Sequence, residues 1–317
     1  KAAAIASLAA LSAAHDIDSL YAKFLAQHGK NYLATEEYET RKTIFAKNHF
    51  LISEHNMGNT HKLAHNFMSD WTEAEKKELN GYMAELYPTN VEAVEYTNAT
   101  VPTTVDWRKE LASMRVIKNQ GRCGSCWAFS TVGSIESRSE IQKNPYVSLS
   151  EQQLVDCVQY SFGCEGGNFF AGFDYSLHTG NEGETDYTYT AKDGTCQDKK
   201  FSVKNHHTSD YKVVPQNSPA ALKAEIANGP VSVAIEADQP TFQFYTTGVI
   251  PFSQCGTQLD HAVLAIGYGT EDGKDYFLIR NSWGANWGDH GCVKLQFDAE
   301  QCACGCAMQP GAVLTKN

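Results

Sequence analysis

Two segments near the start of the chain have apolar residues at the spacing of an amphipathic helix. The first runs from Ile17 to His28, and a longer one carries Tyr38, Phe45 and Ile52 among many charged residues. Apolar positions that recur at steps of three and four residues lie on one face of a helix. The pattern therefore predicts a short helix packed against a long one.

The rest of the chain begins with further helical patterns. They predict helices from about Ser125 to Gln142, from a capping box at 150–153 to Cys157, and after the glycine-rich turn at 163–169. Another helix should begin at Ser218-Pro219 and end at Gly229-Pro230, because proline suits the first helical position and a Gly-Pro pair stops a helix.

The strand patterns lie beyond that helix. Four short β-favouring runs are separated by glycine-rich turns: Val231–Glu236, Ala262–Tyr268, Tyr276–Arg280 and Cys292–Phe297. A helical half followed by a strand-rich half predicts an α+β fold with two subdomains and a cleft between them.

The two ends of the N-terminal helical region have a different composition. Residues 1–14 are nearly all Ala, Leu and Ile behind Lys1, which is typical of a secretory signal peptide, here without its first residues. Residues 83–100 have no helical spacing and contain Pro88, so we expect an extended linker there. Asn98-Ala99-Thr100 in this linker is a candidate glycosylation site.

Charge and cysteine content narrow the class of protein. The formal charge is -11 and no basic stripe is present, which argues against nucleic acid as a partner. After residue 14 no apolar run is long enough for a transmembrane helix, so we expect the mature protein to be soluble. Ten cysteines are more than a cytosolic enzyme usually has, and they indicate disulfides formed in an oxidising compartment.

The stretch from Asn119 to Ser130 carries the strongest chemical signal. Cys123-Gly124-Ser125-Cys126 directly precedes an apolar run with helical spacing. At a helix N-terminus, free N–H groups and the helix dipole would favour the thiolate of Cys126, the attacking form in covalent catalysis. The same spacing also fits half a zinc site, a redox motif, or one disulfide partner beside a buried thiol, so it leaves these alternatives open.

Three further residues could complete a site for acyl transfer, although each also has an ordinary explanation. His261 could shuttle a proton, but a histidine at the start of an apolar strand is more often structural. Asn281 could orient the imidazole through its amide oxygen, or could serve only turn geometry. Gln120 could donate its side-chain N–H to an oxyanion together with the backbone N–H of Cys126, whereas most loop glutamines are simply solvated.

Taken together, these residues resemble the papain family of cysteine proteases. The order Gln120, Cys126, His261, Asn281 is similar to that of papain and the cathepsins, as are the motifs Cys-Gly-Ser-Cys-Trp and Asn-Ser-Trp-Gly-x-x-Trp-Gly. Residues 101–108 resemble a mature N-terminus of this family. The resemblance covers about residues 16–310 and is closest to the cathepsin L type.

The N-terminal helices carry a second part of the resemblance. Six residues of the long helix match the E-R-F-N-I-N signature of cathepsin L-like propeptides: Glu37, Arg41, Phe45, Asn48, Ile52 and Asn56. Downstream, Asn66 and Asp70 match the family's G-N-F-D motif, whereas Ala64 and Met68 depart from it, so we carry over no pH-sensing role.

The resemblance implies a domain organisation. Residues 15–100 would be a helical inhibitory propeptide whose segment 83–100 crosses the active-site cleft, with cleavage near 98–101. Residues 101–317 would be a papain-like peptidase domain, with a helical left half, a β-barrel-like right half and the active-site cleft between them.

The resemblance also implies roles for individual residues. Cys126 would be the nucleophile, with His261 and Asn281 as its catalytic partners and Gln120 in the oxyanion hole, and Trp283 would shield the Asn281–His261 hydrogen bond. The backbone of Gly166 and Gly167 would bind extended peptide. A mainly apolar S2 pocket would be lined by Phe169, Ala234, Leu259, Ala262 and Gln309. No cofactor is implied.

The resemblance assigns six of the ten cysteines to disulfides: Cys123–Cys164, Cys157–Cys196 and Cys255–Cys304. Cys292, Cys302 and Cys306 are additional, and either two of them pair or all three are small buried residues. We expect no metal at the Cys302–Cys306 cluster, because no histidine or carboxylate beside it has suitable spacing.

The implied protein is a monomeric endopeptidase made as a zymogen in the secretory pathway, and it would act in an acidic lysosome- or phagosome-like vacuole or outside the cell. Its partners would be protein substrates, its own propeptide and cystatin-like inhibitors. Alternatives are a released inhibitory domain at 15–98, a zinc or thioredoxin-like protein built on Cys123 and Cys126, and a non-catalytic homologue. The hypothesis of a zinc or thioredoxin-like protein leaves Gln120, His261 and Asn281 unexplained. The hypothesis of a non-catalytic homologue conflicts with the presence of the expected residue at all four catalytic positions.

Overall fold

The computed structural model describes residues 16–88, 93, 101–197 and 208–315. The predicted signal peptide at 1–14 and the sequon at Asn98 lie outside the described residues. None of the described helices is both long enough and apolar enough to span a bilayer.

The N-terminal region forms the two predicted helices. Helix α1 covers 16–27 and α2 covers Thr35–Gly58, and they are followed by strand β1 (Lys62–Leu63) and helix α3 (Glu73–Lys77). Helices α1 and α2 meet where the ring of Phe45 packs on Tyr21 and Phe24, with centroids 5.2 and 4.9 Å away. The predicted packing of a short helix on a long one is confirmed.

The signature residues of α2 connect it to the chain that follows. Asn48 donates to the Ser69 carbonyl at 3.0 Å, and Asn56 donates to the Leu63 carbonyl at 2.9 Å. Arg41 reaches Glu75 on α3 at 2.8 Å and, more weakly, Glu37 at 3.4 Å. Phe45 and Ile52 face the interior.

The segment after β1 has buried polar residues that match the family motif, Asn66 and Asp70. Asn66 donates to the Gln243 carbonyl of the strand-rich half at 2.7 Å. Asp70 accepts from Tyr32 at 2.9 Å and pairs with Lys30, so its charge is compensated within the N-terminal region.

The first half of the chain after residue 100 is helical, as predicted. Its helices are α4 (Cys126–Ile141), α5 (Glu151–Cys157) and α6 (Phe169–Thr179). Ser150 caps α5 by accepting from the Gln153 N–H at 3.0 Å. Helix α4 is buried from Cys126 to Ser139 because the second half of the domain packs on it, so its sequence shows no polar face.

The second half contains a long, mostly antiparallel sheet. Two short helices lie beside it, α7 (Pro219–Ile226) and α8 (Pro240–Gln243). The strands are β2 (Val105–Asp106), β3 (Thr208–Val213), β4 (Val231–Ile235), β5 (Tyr245–Thr247), β6 (Val249–Ile250), β7 (His261–Glu271), β8 (Lys274–Arg280), β9 (Cys292–Gln296) and β10 (Gly311–Thr315). Strand β5 pairs with β1 of the N-terminal region, and the others form one sheet.

The strand order of the sheet is β3-β10-β4-β7-β8-β9-β6, with β2 on β7. The four predicted strands are its centre, β4, β7, β8 and β9. The α+β fold with two halves is confirmed, although the sheet is open rather than a closed barrel across the described strands. The register of β4 on β7 sets Ala234 opposite Ala262 and Ile235 opposite His261, which brings the start of β7 to the face of α4.

Four disulfides are present. Three join Cys123 to Cys164, Cys157 to Cys196 and Cys255 to Cys304. The fourth joins Cys302 to Cys306, which is one of the alternatives that the sequence left open. The free thiols are Cys126 and Cys292, and both are buried.

Candidate active site

Cys126 is the first residue of α4 and is completely buried. The loop before it is held by the Cys123–Cys164 disulfide and by a 2.8 Å hydrogen bond from the Gly124 N–H to the Cys164 carbonyl. Its Sγ accepts a hydrogen bond of 3.4 Å from the N–H of Ala262. The candidate nucleophile therefore lies beside the start of β7.

His261 begins β7 and is also fully buried. Its Nε2 lies 2.8 Å from Oδ1 of Asn281, an atom that can only accept, so Nε2 carries the proton. The Nδ1 atom is then the free base, and it has no hydrogen-bond partner among the described residues. Trp283 packs against the imidazole with ring centroids 4.9 Å apart and separates this pair from solvent.

Gln120 is held in a single orientation by Ser282. Its backbone N–H donates to the Ser282 carbonyl at 2.9 Å, and its Oε1 accepts from Ser282 Oγ at 2.7 Å. The side-chain Nε2 is therefore directed the other way, to the carbonyls of Cys123 at 2.8 Å and Leu79 at 2.9 Å. The structure thus brings Gln120, Cys126, His261 and Asn281 to one cleft.

A segment of the N-terminal region, residues 79–83, fills this cleft. The Gly167 N–H donates to the Gly81 carbonyl at 2.8 Å, and the Met83 N–H donates to the Gly167 carbonyl at 2.9 Å. The Tyr82 N–H donates to the Asp260 carbonyl at 2.9 Å. Backbone pairing of this kind is how an extended peptide adds to an exposed edge.

This position adds to one expectation from the sequence. The crossing segment was expected at 83–100, most of which lies outside the described residues, and the described chain already enters the cleft at 79–83 before a 3₁₀ turn at Ala84–Leu86. Gly81 explains the position, because a Cβ there would collide with the Gly124 carbonyl of the nucleophile loop. A glycine is therefore needed where the segment passes Cys126.

The side chain of Tyr82 fills the pocket that was expected to be S2. Its ring stacks on Phe169 with centroids 5.4 Å apart, and its hydroxyl donates to Oε1 of Gln309 at 2.7 Å. The same apolar cluster contains the remaining expected residues, Ala234, Leu259 and Ala262. Gly166 lies close against Gly81. A Cβ added to Gly166 would be only 2.7 Å from the Gly81 carbonyl oxygen.

Comparison with known proteins gives the family. Residues 101–314 match the profile described as papain family cysteine protease. The chain belongs to the papain family. Residues 21–75 match the cathepsin propeptide inhibitor domain, so this papain-family protease is a zymogen, and residues 79–83 in its cleft follow directly after the matched inhibitor domain.

Individual relatives agree with this assignment. The protease is 40% identical to a cathepsin L-like peptidase of Aedes aegypti over 90% of this chain and 91% of that one. It is also 40% identical to the senescence-specific cysteine protease SAG12 of Arabidopsis thaliana, over 90% and 87% of the two chains. Among solved structures, digestive procathepsin L 3 of Tenebrio molitor superposes with a TM-score of 0.83 at 31% identity, covering 94% of this chain and 99% of that one.

The zymogen buries its candidate catalytic pair in neutral form. Burial raises the pKa of Cys126 to about 12, and hydrogen bonds from the N–H groups of Ala262 and Gly81 offset this only in part. Burial lowers the pKa of His261 to about 4, although the hydrogen bond to Asn281 acts in the opposite direction. A thiol and a neutral imidazole are therefore the stable forms near neutral pH, rather than the thiolate and imidazolium that nucleophilic attack by Cys126 would use.

Sequence reasoning missed two residues that shape this site. Ser282 orients Gln120, and the signal for it was its position inside the Asn-Ser-Trp-Gly motif. The carboxylate of Asp260 accepts a hydrogen bond from the side chain of Asn80 of the propeptide at 2.8 Å and another from the Ala237 N–H at 2.8 Å. Burial raises the pKa of Asp260 to about 7, and its place directly before His261 was the only hint in the sequence.

The alternative built on two paired thiols does not fit the structure. A zinc or thioredoxin-like site needs both Cys123 and Cys126, and Cys123 is bonded to Cys164 instead. Across the described ranges, no group of three or more His, Cys, Asp or Glu side chains is arranged to hold a metal ion.

Proposed function

We propose that this zymogen yields a cysteine endopeptidase in which Cys126 is the nucleophile and His261 transfers protons. Asn281 would orient His261, and Gln120 would bind the oxyanion together with the backbone N–H of Cys126. The contact that supports this most directly is the hydrogen bond of 2.9 Å that Nε2 of Gln120 donates to the Leu79 carbonyl. A peptide carbonyl of the propeptide already uses the donor that a substrate carbonyl would need.

The reaction would start when the propeptide is removed. Water then reaches the cleft, the thiol of Cys126 gives its proton to Nδ1 of His261, and the N-terminus of α4 stabilises the thiolate. The thiolate forms a bond to the substrate carbonyl carbon, the C–N bond breaks, and His261 protonates the leaving amine. His261 next takes a proton from water, whose oxygen displaces Sγ and releases the acyl product.

The position of Tyr82 supports a substrate preference. We infer that S2 accepts apolar and aromatic side chains, because Phe169, Ala234, Leu259 and Ala262 surround the Tyr82 ring. Gln309 at the far end tolerates a hydroxyl, since it accepts one from Tyr82. A library of peptides varied two residues before the cut should therefore favour Leu, Val, Phe and Tyr, and a profile dominated by acidic residues would contradict this assignment.

We infer endopeptidase activity and an oxidising site of action from other features. Between Cys164 and Cys196 the chain has no insertion that would close one end of the cleft, so long substrates can pass through it. Four disulfides suit the secretory pathway, a lysosome-like vacuole or the extracellular space. We further expect a monomer that cystatin-like inhibitors can block.

A covalent probe tests the nucleophile and the activation step together. After acid activation, the protein is treated with an irreversible epoxide inhibitor of cysteine proteases and mapped by peptide mass spectrometry. We expect label on Cys126 alone and complete loss of activity, and the Cys126→Ala variant should have neither label nor turnover. Peptidase activity in that variant, or label on Cys292 instead, would contradict the assignment.

A second function, inhibition in trans by the released propeptide, is favoured by the contacts of residues 79–83. Three backbone hydrogen bonds and the Tyr82 ring bind the cleft without a covalent bond. Residues 15–98, prepared as a separate polypeptide, should inhibit the mature protease in a dose-dependent way. Replacing Tyr82 with Ala should weaken that inhibition, and a wild-type propeptide without effect would remove this function.

A further inference from the structure

Tyr189 touches both sides of the nucleophile loop. Its hydroxyl lies 2.7 Å from the backbone carbonyl of Gln120 and 2.6 Å from Oγ of Ser125. A carbonyl can only accept, so the Tyr189 O–H donates to Gln120 and the Ser125 O–H donates to Tyr189. The order of this hydrogen-bond chain is therefore determined, from Ser125 through Tyr189 to Gln120.

Ser125 is used in an unusual way. It occupies the N-cap position of α4, where a serine side chain normally accepts from a free backbone N–H of the first turn. Here it makes no such cap, although it is completely buried. Its hydroxyl binds Tyr189 instead, so the link to Tyr189 replaces a contact that would otherwise stabilise the helix carrying Cys126.

Tyr189 itself is held firmly. Its ring packs edge-on against Phe129 of α4, with centroids 4.9 Å apart and planes at 86°. Its backbone N–H donates to Glu184 at 2.8 Å, and the next residue, Thr190, donates its N–H to Gln152 of α5 at 2.8 Å. Burial raises the pKa of the Tyr189 hydroxyl, so it stays protonated as the chain requires.

We propose that Tyr189 is a positioning residue for the oxyanion hole. Its hydroxyl sets the distance between Gln120, which carries the side-chain donor, and Ser125, which precedes the backbone donor of Cys126. Ser282 fixes the side chain and the N–H of Gln120, while Tyr189 fixes its carbonyl. Without the hydroxyl, Gln120 can move relative to Cys126, and the two donors no longer converge on one oxygen.

This inference rests on the proposed function, and a double-mutant cycle tests the two separately. The mature protease, obtained by acid activation, is compared with Tyr189→Phe, Gln120→Ala and the double variant. We expect Tyr189→Phe to lower kcat by about 5–30-fold with KM changed less than about twofold, because the hydroxyl acts only on transition-state donors. In the Gln120→Ala background, the same change should have almost no effect.

Further readouts separate positioning from general damage. Tyr189→Phe should weaken binding of a peptide aldehyde, whose hemithioacetal oxygen needs the oxyanion hole, and should leave the pH profile of Cys126 alkylation by iodoacetamide unchanged. Ser125→Ala should reproduce part of the loss. The matched control is Tyr187→Phe, which removes a hydroxyl that bonds Asp156 at 2.7 Å in the same segment, and it should keep full activity.

Each other outcome has a definite meaning. An equal loss from Tyr189→Phe with and without Gln120, or a shifted alkylation profile, would overturn the positioning role. The same holds if Gln120→Ala is slow and Tyr189→Phe is fully active. If Gln120→Ala itself keeps the wild-type rate, the proposed oxyanion hole is wrong and the role of Tyr189 fails with it.

Discussion

Cys126 and His261 are buried side by side in the zymogen, yet their environment favours the uncharged forms. Burial moves the pKa of the thiol up to about 12 and the pKa of the imidazole down to about 4. Because both side chains are fully buried, an ion pair between them would carry a large desolvation cost. At the residue scale, the proposed inhibition would therefore combine blocked access with suppressed ionisation of Cys126.

The first prediction concerns the reactivity of Cys126 before and after activation. In the intact zymogen at pH 7, alkylation of Cys126 by iodoacetamide should be more than about 100-fold slower than in the mature protease, because only the thiolate reacts. Raising the pH towards 12 should accelerate it in the zymogen, since the thiolate appears as pH approaches the raised pKa. Mass spectrometry of the labelled peptides gives both rates.

The control for that experiment is the Cys126→Ala zymogen. Its remaining free thiol is Cys292, which is buried and whose pKa burial raises to about 11. It should stay unlabelled under the same conditions. Rapid labelling of Cys126 in the zymogen at pH 7 would show that the propeptide blocks substrates without suppressing the thiolate.

At the scale of elements, the propeptide depends on a small aromatic core. Among the described residues, helices α1 and α2 meet mainly through Tyr21, Phe24 and Phe45, which are fully or almost fully buried. So small a core leaves little surplus stability. The polar signature residues Asn48 and Asn56 then attach α2 to the segment that leads to the cleft.

The second prediction uses two phenylalanines of the same helix. Phe45→Ala should destabilise the propeptide by about 3–5 kcal/mol, because it leaves a cavity at a position that is 2% exposed. Phe50→Ala, at a position that is 60% exposed, should change stability by less than about 0.5 kcal/mol. Urea unfolding of the two zymogens compares them.

The same variants carry a functional consequence. The Phe45→Ala zymogen should activate faster than wild type at a given acidic pH, whereas the Phe50→Ala zymogen should match wild type. Equal activation rates for both would mean that the aromatic core does not control release of the cleft segment.

At the scale of the whole molecule, the contact between propeptide and peptidase domain includes a buried histidine. Strand β1 pairs with β5, and His61 beside it is 1% exposed, with Nε2 2.8 Å from Oγ1 of Thr241. Burial lowers the pKa of His61 from 6.5 to about 4, and the nearby His55, Lys274 and Lys62 lower it further. A proton on His61 would thus place a positive charge at a buried position near Lys62 and Lys274.

The third prediction gives the sign of the pH dependence. In the released propeptide His61 takes up a proton near pH 6.5, whereas in the complex its side chain stays neutral down to about pH 4. The complex is therefore weakened as pH falls through this window, by up to about tenfold per pH unit for each proton. Asp260 acts in the opposite direction. Burial raises its pKa to about 7, so the part of that burial which the propeptide causes would strengthen the complex as the pH falls.

A neutral substitution isolates the contribution of His61. The His61→Gln zymogen should activate at a lower pH than wild type, measured as the pH at which half the protein is processed in a fixed time. His178→Gln, at an exposed position on α6, is the control and should leave this midpoint in place. An unchanged midpoint in His61→Gln would assign the acid response to other groups.

Much of this molecule could be predicted from local sequence. The helices at 16–27, α2, α4 and α5 and the central strands β4, β7, β8 and β9 have spacing or caps that act within a few residues, so their patterns are visible in the chain. The other strands were not predicted. Strands β3 and β10, for example, are held by pairing with each other, about a hundred residues apart in sequence, and local pattern carries no such information.

The site divides in the same way. The residue types at Gln120, Cys126, His261 and Asn281 and their order indicated a cysteine protease, because covalent catalysis needs those groups and few other arrangements explain all four. Only the tertiary structure decided that Tyr82 fills the pocket over Phe169, that residues 79–83 cross the cleft, and that Tyr189 joins Gln120 to Ser125. Those contacts join segments far apart in the chain, so their geometry depends on how the propeptide and the two halves of the peptidase domain pack.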